Sequence, residues 1–167
     1  MANRERVIKF NEIAGNAPIG LEDKDQFWEQ VISQSKLILE EAQEQYDAAL
    51  AHDLTEMVDG ACDVDYLQTY MDILVQESGV NLGCAKDMVA MNNDQKYTLS
   101  EDLAVQSAEA QKAKGVECYV HKTEWRGDTY YLVKRTEDNK VLKLLKHVAP
   151  NIRATIPKST LQILENS

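Results

Sequence analysis

The feature that most constrains the fold of this chain is an interval without proline, from residue 19 to residue 149. The chain's only prolines are Pro18, Pro150 and Pro157. Proline lacks a backbone N–H and breaks the interior of a helix, so an interval without it permits long helices. Most of this interval is also rich in strong helix formers. We therefore predict a mainly α-helical fold.

Capping residues and apolar periodicity divide the chain into separate helices. Asp53 is a suitable N-cap residue, and Gly79 suits the position just after a helix C-terminus. Ser100 and Gly115 bound a later helix in the same way. The predicted helices cover residues 4–14, 23–52, 53–78, 81–93 and 100–115. Residues 1–115 are accordingly predicted to form one helical domain.

Beyond Gly115 the pattern changes to short runs of β-branched and aromatic residues, which favour strands. The runs cover residues 116–120, 129–134 and 140–145, and turn-forming residues separate them at 125–128 and 137–139. Residues 116–167 are therefore predicted to form a C-terminal extension with a small antiparallel β-hairpin or meander. The extension belongs either to the same folding unit or to an oligomer interface.

The chain is acidic, since 18 Lys and Arg residues stand against 28 Asp and Glu residues, for a formal net charge of -10. Such a charge disfavours binding to nucleic acid polymers and to anionic membranes. No apolar run is long enough to cross a bilayer, and the N-terminus lacks the apolar stretch of a signal peptide. Three widely spaced cysteines are typical of reduced thiols. We predict a cytoplasmic protein without membrane or nucleic acid partners.

Two groups of acidic residues lie on the second and third predicted helices. The first group is Glu40, Glu41 and Glu44, and the second is Glu56, Asp59 and Asp63. Residues three, four or seven apart share a helix face, so antiparallel helices joined near residue 52 bring the groups together. We expect part of this cluster to face the interior, where the carboxylates need a counter-charge. Mg²⁺ prefers oxygen ligands, and the cluster therefore suits a metal-bridged triphosphate.

The spacing of these acids, and several later motifs, resemble the MazG-like all-α nucleoside triphosphate pyrophosphohydrolases. Residues 40–44 match EExxE, and after a spacer of 11 residues, residues 56–59 match ExxD. The later matching segments are DGACD (59–63), ESGVN (77–81), MNNDQKY (91–97), NKVLK (139–143) and APNI (149–152). The resemblance runs from about Phe10 to Ile156. The chain departs from the usual pattern at Asn92, where Ser is typical, and at Asn139, where Gly is typical.

The resemblance implies a four-helix-bundle type of subunit that forms a homodimer or homotetramer. It implies hydrolysis of a nucleoside or deoxynucleoside triphosphate to the monophosphate and pyrophosphate, with Mg²⁺ as cofactor and Mn²⁺ as a possible substitute. The implied metal ligands are Glu41, Glu44, Glu56, Asp59 and Asp63, with either Asp59 or Asp63 as the true ligand of that pair. The implied catalytic residues are Glu40, Glu41 and Asp63, of which Glu40 or Asp63 activates the attacking water. The implied substrate-binding residues are Asn93 and Lys96.

Basic residues cluster in the predicted hairpin of this otherwise acidic chain. The candidate substrate-binding lysines of this cluster are Lys134, Lys140 and Lys143. They either protect a solvated strand edge or contact the phosphates of a substrate bound on a neighbouring subunit. Trp28 and Trp125, by contrast, are interpreted as packing residues.

An alternative function is a non-catalytic helical interaction or regulatory protein that retains the family fold. Function depends on the site and not on the fold alone. A protein that had lost its activity is expected to have lost one of the acidic residues, and this sequence keeps the whole set. The sequence therefore favours the enzyme.

Overall fold

The computed structural model describes residues 3–165 and is mainly helical. The α-helices are α1 (Arg4–Ile13), α2 (Lys24–Leu50), α3 (Leu54–Glu77), α4 (Leu82–Asp94), α5 (Glu101–Lys112) and α6 (Lys158–Glu165). Short 3-10 helices cover Leu21–Asp23 and Ile152–Thr155. The strands are β1 (Tyr97–Thr98), β2 (Cys118–Trp125) and β3 (Asp128–Arg135). In this described part of the chain, no helix has the length and apolar character needed to span a membrane.

The chain forms two compact units. The first comprises the described residues up to Leu82 together with those from Ala154 onwards, and the second is Gly83–Arg153. The predicted change from helices to strands near residue 115 lies inside the second unit. All the acidic residues of the predicted metal site lie in the first unit, and all the predicted substrate-binding residues lie in the second.

Local capping interactions fix the hairpin of α2 and α3 in the first unit. The side chain of Asp53 accepts hydrogen bonds from the backbone N–H groups of Thr55 and Glu56, at 3.0 and 3.2 Å. At its other end α3 is followed by Gly79, whose φ of 84° lies in the left-handed region that glycine adopts at little cost. Both predicted helix boundaries are therefore confirmed, and the chain between α2 and α3 is short enough to make the two helices antiparallel.

Apolar residues from α1, α2 and α3 form the core of the first unit. Its buried members are Val7, Leu21, Phe27, Tyr70, Ile73 and Leu74. Two polar contacts cross this core. The phenol of Tyr70 donates to the backbone carbonyl of Asn16, and the side chain of Gln34 donates to the carbonyl of Leu67 at 2.8 Å. These contacts hold α2 and the loop after α1 against α3.

The second unit contains a three-stranded antiparallel sheet in the order β1-β3-β2, and α5 packs on one of its faces. The predicted hairpin is confirmed as β2 and β3, but the predicted strand over residues 140–145 is wrong. Tyr97–Thr98 already pairs with that edge of β3, so Val141 forms only an isolated bridge with Lys134. The sequence did not predict β1, because two residues carry too little pattern.

Candidate functional site

The helices α2 and α3 approach each other closely at Gly60. A Cβ placed on Gly60 would lie 3.0 Å from the Cβ of Gln45 and 3.1 Å from its Cα. Glycine inside a helix costs about 1 kcal/mol relative to alanine, so its presence here calls for a packing reason. The packing reason is that the backbone of α2 lies directly beside Gly60. Sequence reasoning missed both residues, although a glycine in mid-helix was a visible signal.

The contact of Gly60 with Gln45 determines which acidic residues of α2 lie opposite which acidic residues of α3. Since the helices are antiparallel, Glu41, four residues before Gln45, lies level with Asp63, three residues after Gly60. Glu41 is half-buried, whereas the other predicted acids are exposed. The expectation that part of the cluster faces the interior therefore applies to Glu41 alone.

Carboxylates on both α2 and α3 affect the pKa of Glu41. Burial raises the pKa of Glu41, and the negative charges of neighbouring acids raise it further. In decreasing order of effect, these neighbours are Glu44, Asp63, Asp59 and Glu40. The structure thus brings five of the six predicted acids into one electrostatic group. Glu56 is not among these neighbours, and it lies about one helical turn closer to the interhelical loop than Asp59 does.

The residues of this group are hard oxygen donors, which is the donor type that suits Mg²⁺. Between residues 3 and 165 the structure contains no set of three or more His, Cys, Asp or Glu side chains already arranged to hold a metal ion. Mg²⁺ commonly keeps several waters and binds through one or two carboxylates and the phosphates of a substrate. The group fits that mode of binding.

A cleft of about 160 Å³ is lined by residues of α1, α2 and α3, and its lining includes none of the acidic residues. Its wall begins at Leu37, one turn before Glu41, and at Tyr66, three residues after Asp63. Amide and hydroxyl side chains line much of the rest, namely Asn11, Asn16, Gln30, Ser33 and Gln34. Gln30 is fixed at both ends of its amide, since it donates to the carbonyl of Ala17 at 2.8 Å and accepts from the N–H of Ile19 at 3.1 Å. The sequence did not predict this cleft.

The predicted substrate-binding residues lie in the second unit. Lys96 and Asn93 are in contact, because the Nζ of Lys96 donates to the Oδ1 of Asn93 at 2.6 Å. Lys134 belongs to β3, and the turn after β3 leads back to Lys140. There the N–H of Arg135 donates to the carbonyl of Lys140 at 2.9 Å. Lys143 follows as an exposed residue.

An ion pair next to these lysines was not anticipated from the sequence. The guanidinium of Arg135 donates twice to the carboxylate of Asp138, through Nε at 2.8 Å and through a terminal nitrogen. These hydrogen bonds, with a third from the N–H of Lys140, hold the pKa of Asp138 well below its usual range. Asp138 thereby offsets the charge of Arg135 and leaves the lysines as the basic part of the hairpin.

Comparison of the chain with protein-family models, with curated proteins and with solved structures found no significant match. The assignment of a function therefore depends on the geometry of the acidic group and on the resemblance of the sequence motifs.

Proposed function

We propose that this protein is a Mg²⁺-dependent nucleotide pyrophosphohydrolase of the MazG-like type, which cleaves a nucleoside or deoxynucleoside triphosphate to the monophosphate and pyrophosphate. The observation that carries the proposal is the position of half-buried Glu41, four residues before the point where α2 contacts Gly60 of α3. At this position the carboxylates of both helices raise the pKa of Glu41. A carboxyl group surrounded by like charges gains most from a divalent cation.

Within this proposal, Glu41, Glu44 and either Asp59 or Asp63 would hold Mg²⁺, with one or two carboxylates on each ion. The bound metal would supply positive charge to neutralise the phosphates and would polarise the phosphate under attack. Glu41 is the half-buried member and is held in place between the helices. Glu40 or Asp63 accepts a proton from the attacking water. Glu56 is proposed as a weaker, outlying ligand, since it does not contribute to the electrostatic group around Glu41.

The cleft next to the acids, which has both apolar and amide side chains in its lining, is proposed as the place of the nucleoside. It starts at the turn next to Glu41 and Asp63, so a substrate with its phosphates at the acids extends its sugar and base along the cleft. The side-chain nitrogens of the buried residues Asn11 and Gln34 already donate to the carbonyls of Val7 and Leu67. Their side-chain oxygens are therefore the atoms proposed to accept a hydrogen bond from a base or a sugar hydroxyl.

The protein is proposed to act as a homodimer or homotetramer that completes a four-helix bundle. An apolar stripe on the outside of α2 supports this proposal. Ile32, Leu39 and Tyr46 follow one another at intervals of seven residues, and Leu39 and Tyr46 are 70% and 58% exposed. An apolar residue at every seventh position is typical of the contact surface between two paired helices.

We also place the protein in the cytoplasm. This placement is supported by the cysteines Cys62, Cys84 and Cys118, which form no disulfide in the described part of the chain.

The proposal is tested by assaying pyrophosphate release from a panel of NTPs and dNTPs with Mg²⁺, with and without EDTA. In ¹⁸O-labelled water, attack on the α-phosphorus places the label in the monophosphate and leaves the pyrophosphate unlabelled. The double substitution Glu41→Gln, Glu44→Gln is expected to reduce turnover at least about 100-fold. Glu29→Gln is the matched control, because Glu29 is an exposed glutamate on the same helix.

The absence of turnover of every nucleotide with Mg²⁺ or Mn²⁺ would contradict the enzyme and favour the non-catalytic interaction protein. Label in the pyrophosphate, or formation of a diphosphate, would contradict the proposed reaction while leaving a nucleotide site. The roles of Asn93, Lys96, Lys134, Lys140 and Lys143 are tested separately, by a rise in KM when each is replaced by a neutral residue.

A further inference from the structure

An aromatic cleft lies on the face of the sheet opposite α5, in the second unit. It encloses about 300 Å³ and is lined by Tyr97, Thr123, Trp125, Tyr130 and Leu132. The strand register explains why these side chains share a face, since Thr123 pairs with Tyr130, and Tyr97 pairs with Leu132. Val133 points to the other face, where it is buried against α5. The cleft therefore rests on a sheet that is packed from behind.

The aromatic rings of the cleft stand nearly perpendicular to one another. The centroids of Tyr97 and Tyr130 are 5.4 Å apart with an angle of 82° between the ring planes. The rings of Trp125 and Tyr130 are 6.3 Å apart at 67°. Ring faces carry the negative side of the aromatic quadrupole, so perpendicular rings form electron-rich walls around a shared space. This arrangement of rings attracts an organic cation, whereas a flat nucleobase stacks best between parallel ring planes.

The ring of Trp125 already contacts a cationic side chain of the same protein. The guanidinium carbon of Arg126 lies 4.5 Å from the centroid of the Trp125 ring. Arg126 is held there by the hairpin turn, in which it adopts a φ of 51°. The contact shows that the Trp125 ring accepts an organic cation, and a cationic ligand on the same face of the ring would compete with Arg126.

The charges around the cleft are also suited to a cation. The phenol of Tyr97 donates to the Oδ1 of Asp94 at 2.8 Å, which increases the electron density of its ring. Asp128 is the cross-strand partner of Trp125. Trp125 is 58% exposed and Tyr97 is 40% exposed, so both rings are accessible to a ligand. Trp125 packs against Tyr130 and Arg126, as interpreted from the sequence, but more than half of its surface stays exposed.

We propose that this cleft binds a soft organic cation, such as a quaternary ammonium or a methylated ammonium group, and that Arg126 competes with it for Trp125. The cation comes either from a small molecule or from a modified side chain of a partner peptide, since both carry the same group. This site is independent of the proposed hydrolysis, because neither the acids of α2 and α3 nor a nucleotide takes part in it.

The test uses Trp125 as a fluorescent reporter in the full chain carrying Trp28→Phe, which leaves Trp125 as the single tryptophan. The protein is titrated in EDTA with choline, with its neutral isostere 3,3-dimethylbutanol, with a trimethyl-lysine peptide and with adenosine. Saturable quenching by a cation is expected, with the neutral isostere about 3- to 30-fold weaker. Choline as strong as the peptide identifies a small molecule as the source, and binding of the peptide alone identifies a partner side chain.

Variants then test the residues of the cleft. Arg126→Gln is expected to tighten binding several-fold, because it removes both a competitor and a like charge. Tyr97→Leu keeps apolar volume but removes a ring, and is expected to weaken binding several-fold. Tyr119→Leu is the matched control, since Tyr119 lies on the same sheet face but outside the lining.

Several results would overturn the proposal. They are equal binding of choline and its neutral isostere, quenching by adenosine without quenching by any cation, weaker cation binding in Arg126→Gln, and no saturable binding at all. The comparison of choline with its isostere needs no variant at the cleft, so it decides the matter even if Tyr97→Leu does not fold.

Discussion

At the scale of single residues, the candidate site centres on the carboxyl group of Glu41. Burial, followed by the charges of Glu44, Asp63, Asp59 and Glu40, raises its pKa. A carboxyl with a raised pKa is protonated more easily in the folded state than in the unfolded state. Its contribution to stability is therefore present below the unfolded pKa and is lost as the pH rises through the folded pKa.

Glu41→Gln is expected to raise the melting temperature at neutral pH in EDTA, because the substitution removes one of several like charges. The difference should vanish below about pH 4, where glutamate is largely protonated in the unfolded chain as well. Thermal unfolding followed by circular dichroism at both pH values measures the difference in melting temperature between Glu41→Gln and the unsubstituted protein. Glu29→Gln on the same helix serves as control, and a lower melting temperature for Glu41→Gln at neutral pH would contradict the electrostatic grouping.

The acidic residues could be predicted from the sequence because helix periodicity fixes which of them share a face. Which acids meet across the two helices depends on the register of α2 against α3, which is not a local property. The contact of Gly60 with Gln45 sets that register, and it explains why Asp63 joins Glu41 while Glu56 does not.

At the scale of elements, the close approach of α2 and α3 depends on the missing side chain of Gly60. Helix propensity and packing have opposite effects at this position. Alanine would favour the helix by about 1 kcal/mol. Its Cβ would, however, meet the Cα and the backbone nitrogen of Gln45 at 3.1 and 3.2 Å, so the backbone of α2 would have to move by a few tenths of an ångström.

Gly60→Ala is expected to lower the free energy of unfolding by about 1 kcal/mol, because overpacking outweighs propensity. Turnover is expected to fall about 10-fold or more, since the acids of the two helices move apart. Urea denaturation and the pyrophosphate assay measure the two effects. Ala61→Gly, at the exposed neighbouring position, should cost about 1 kcal/mol of stability through propensity and leave turnover unchanged. A stabilised Gly60→Ala would contradict the tight crossing.

The turn after β3 offers a separate test of electrostatics. The pKa of Asp138 is depressed by Arg135, so this carboxylate contributes stability above its unfolded pKa and loses it as the pH falls through the folded pKa. Arg135→Gln is expected to raise the pKa of Asp138 towards the ordinary value of about 3.9. An NMR titration of the carboxyl groups measures the pKa of Asp138, with Lys114→Gln as the control variant. An unchanged pKa of Asp138 would rule out the ion pair in solution.

Elements defined by local chemistry were predicted well, and elements defined by distant pairing were not. The capping by Asp53 and the left-handed Gly79 mark the ends of α3 within the sequence itself. Residues 140–145 have the composition of a strand, but Tyr97 and Thr98 occupy the edge of β3 that they would need. That competition involves segments far apart in the chain, and no local pattern reveals it.

At the scale of the whole molecule, the exposed stripe of Ile32, Leu39 and Tyr46 is the basis for proposing α2 as the surface of self-association. We expect an oligomer in solution, and Leu39→Glu with Tyr46→Glu should convert it to a monomer, because two charges would then lie in the seam. Sedimentation analysis measures the mass. Lys36→Glu changes an exposed residue on the same helix and should leave the oligomer intact. A monomeric unsubstituted protein would contradict the proposed bundle.

The central claim is that carboxylates of α2 and α3 jointly hold a divalent cation. The most direct test is Mn²⁺ binding followed by electron paramagnetic resonance, in the presence of a non-hydrolysable triphosphate analogue. We predict saturable binding that Glu41→Gln on α2 and Asp63→Asn on α3 each weaken about 10-fold or more, while Glu29→Gln leaves it unchanged. No saturable binding, or binding that survives the loss of either carboxylate, would contradict the account.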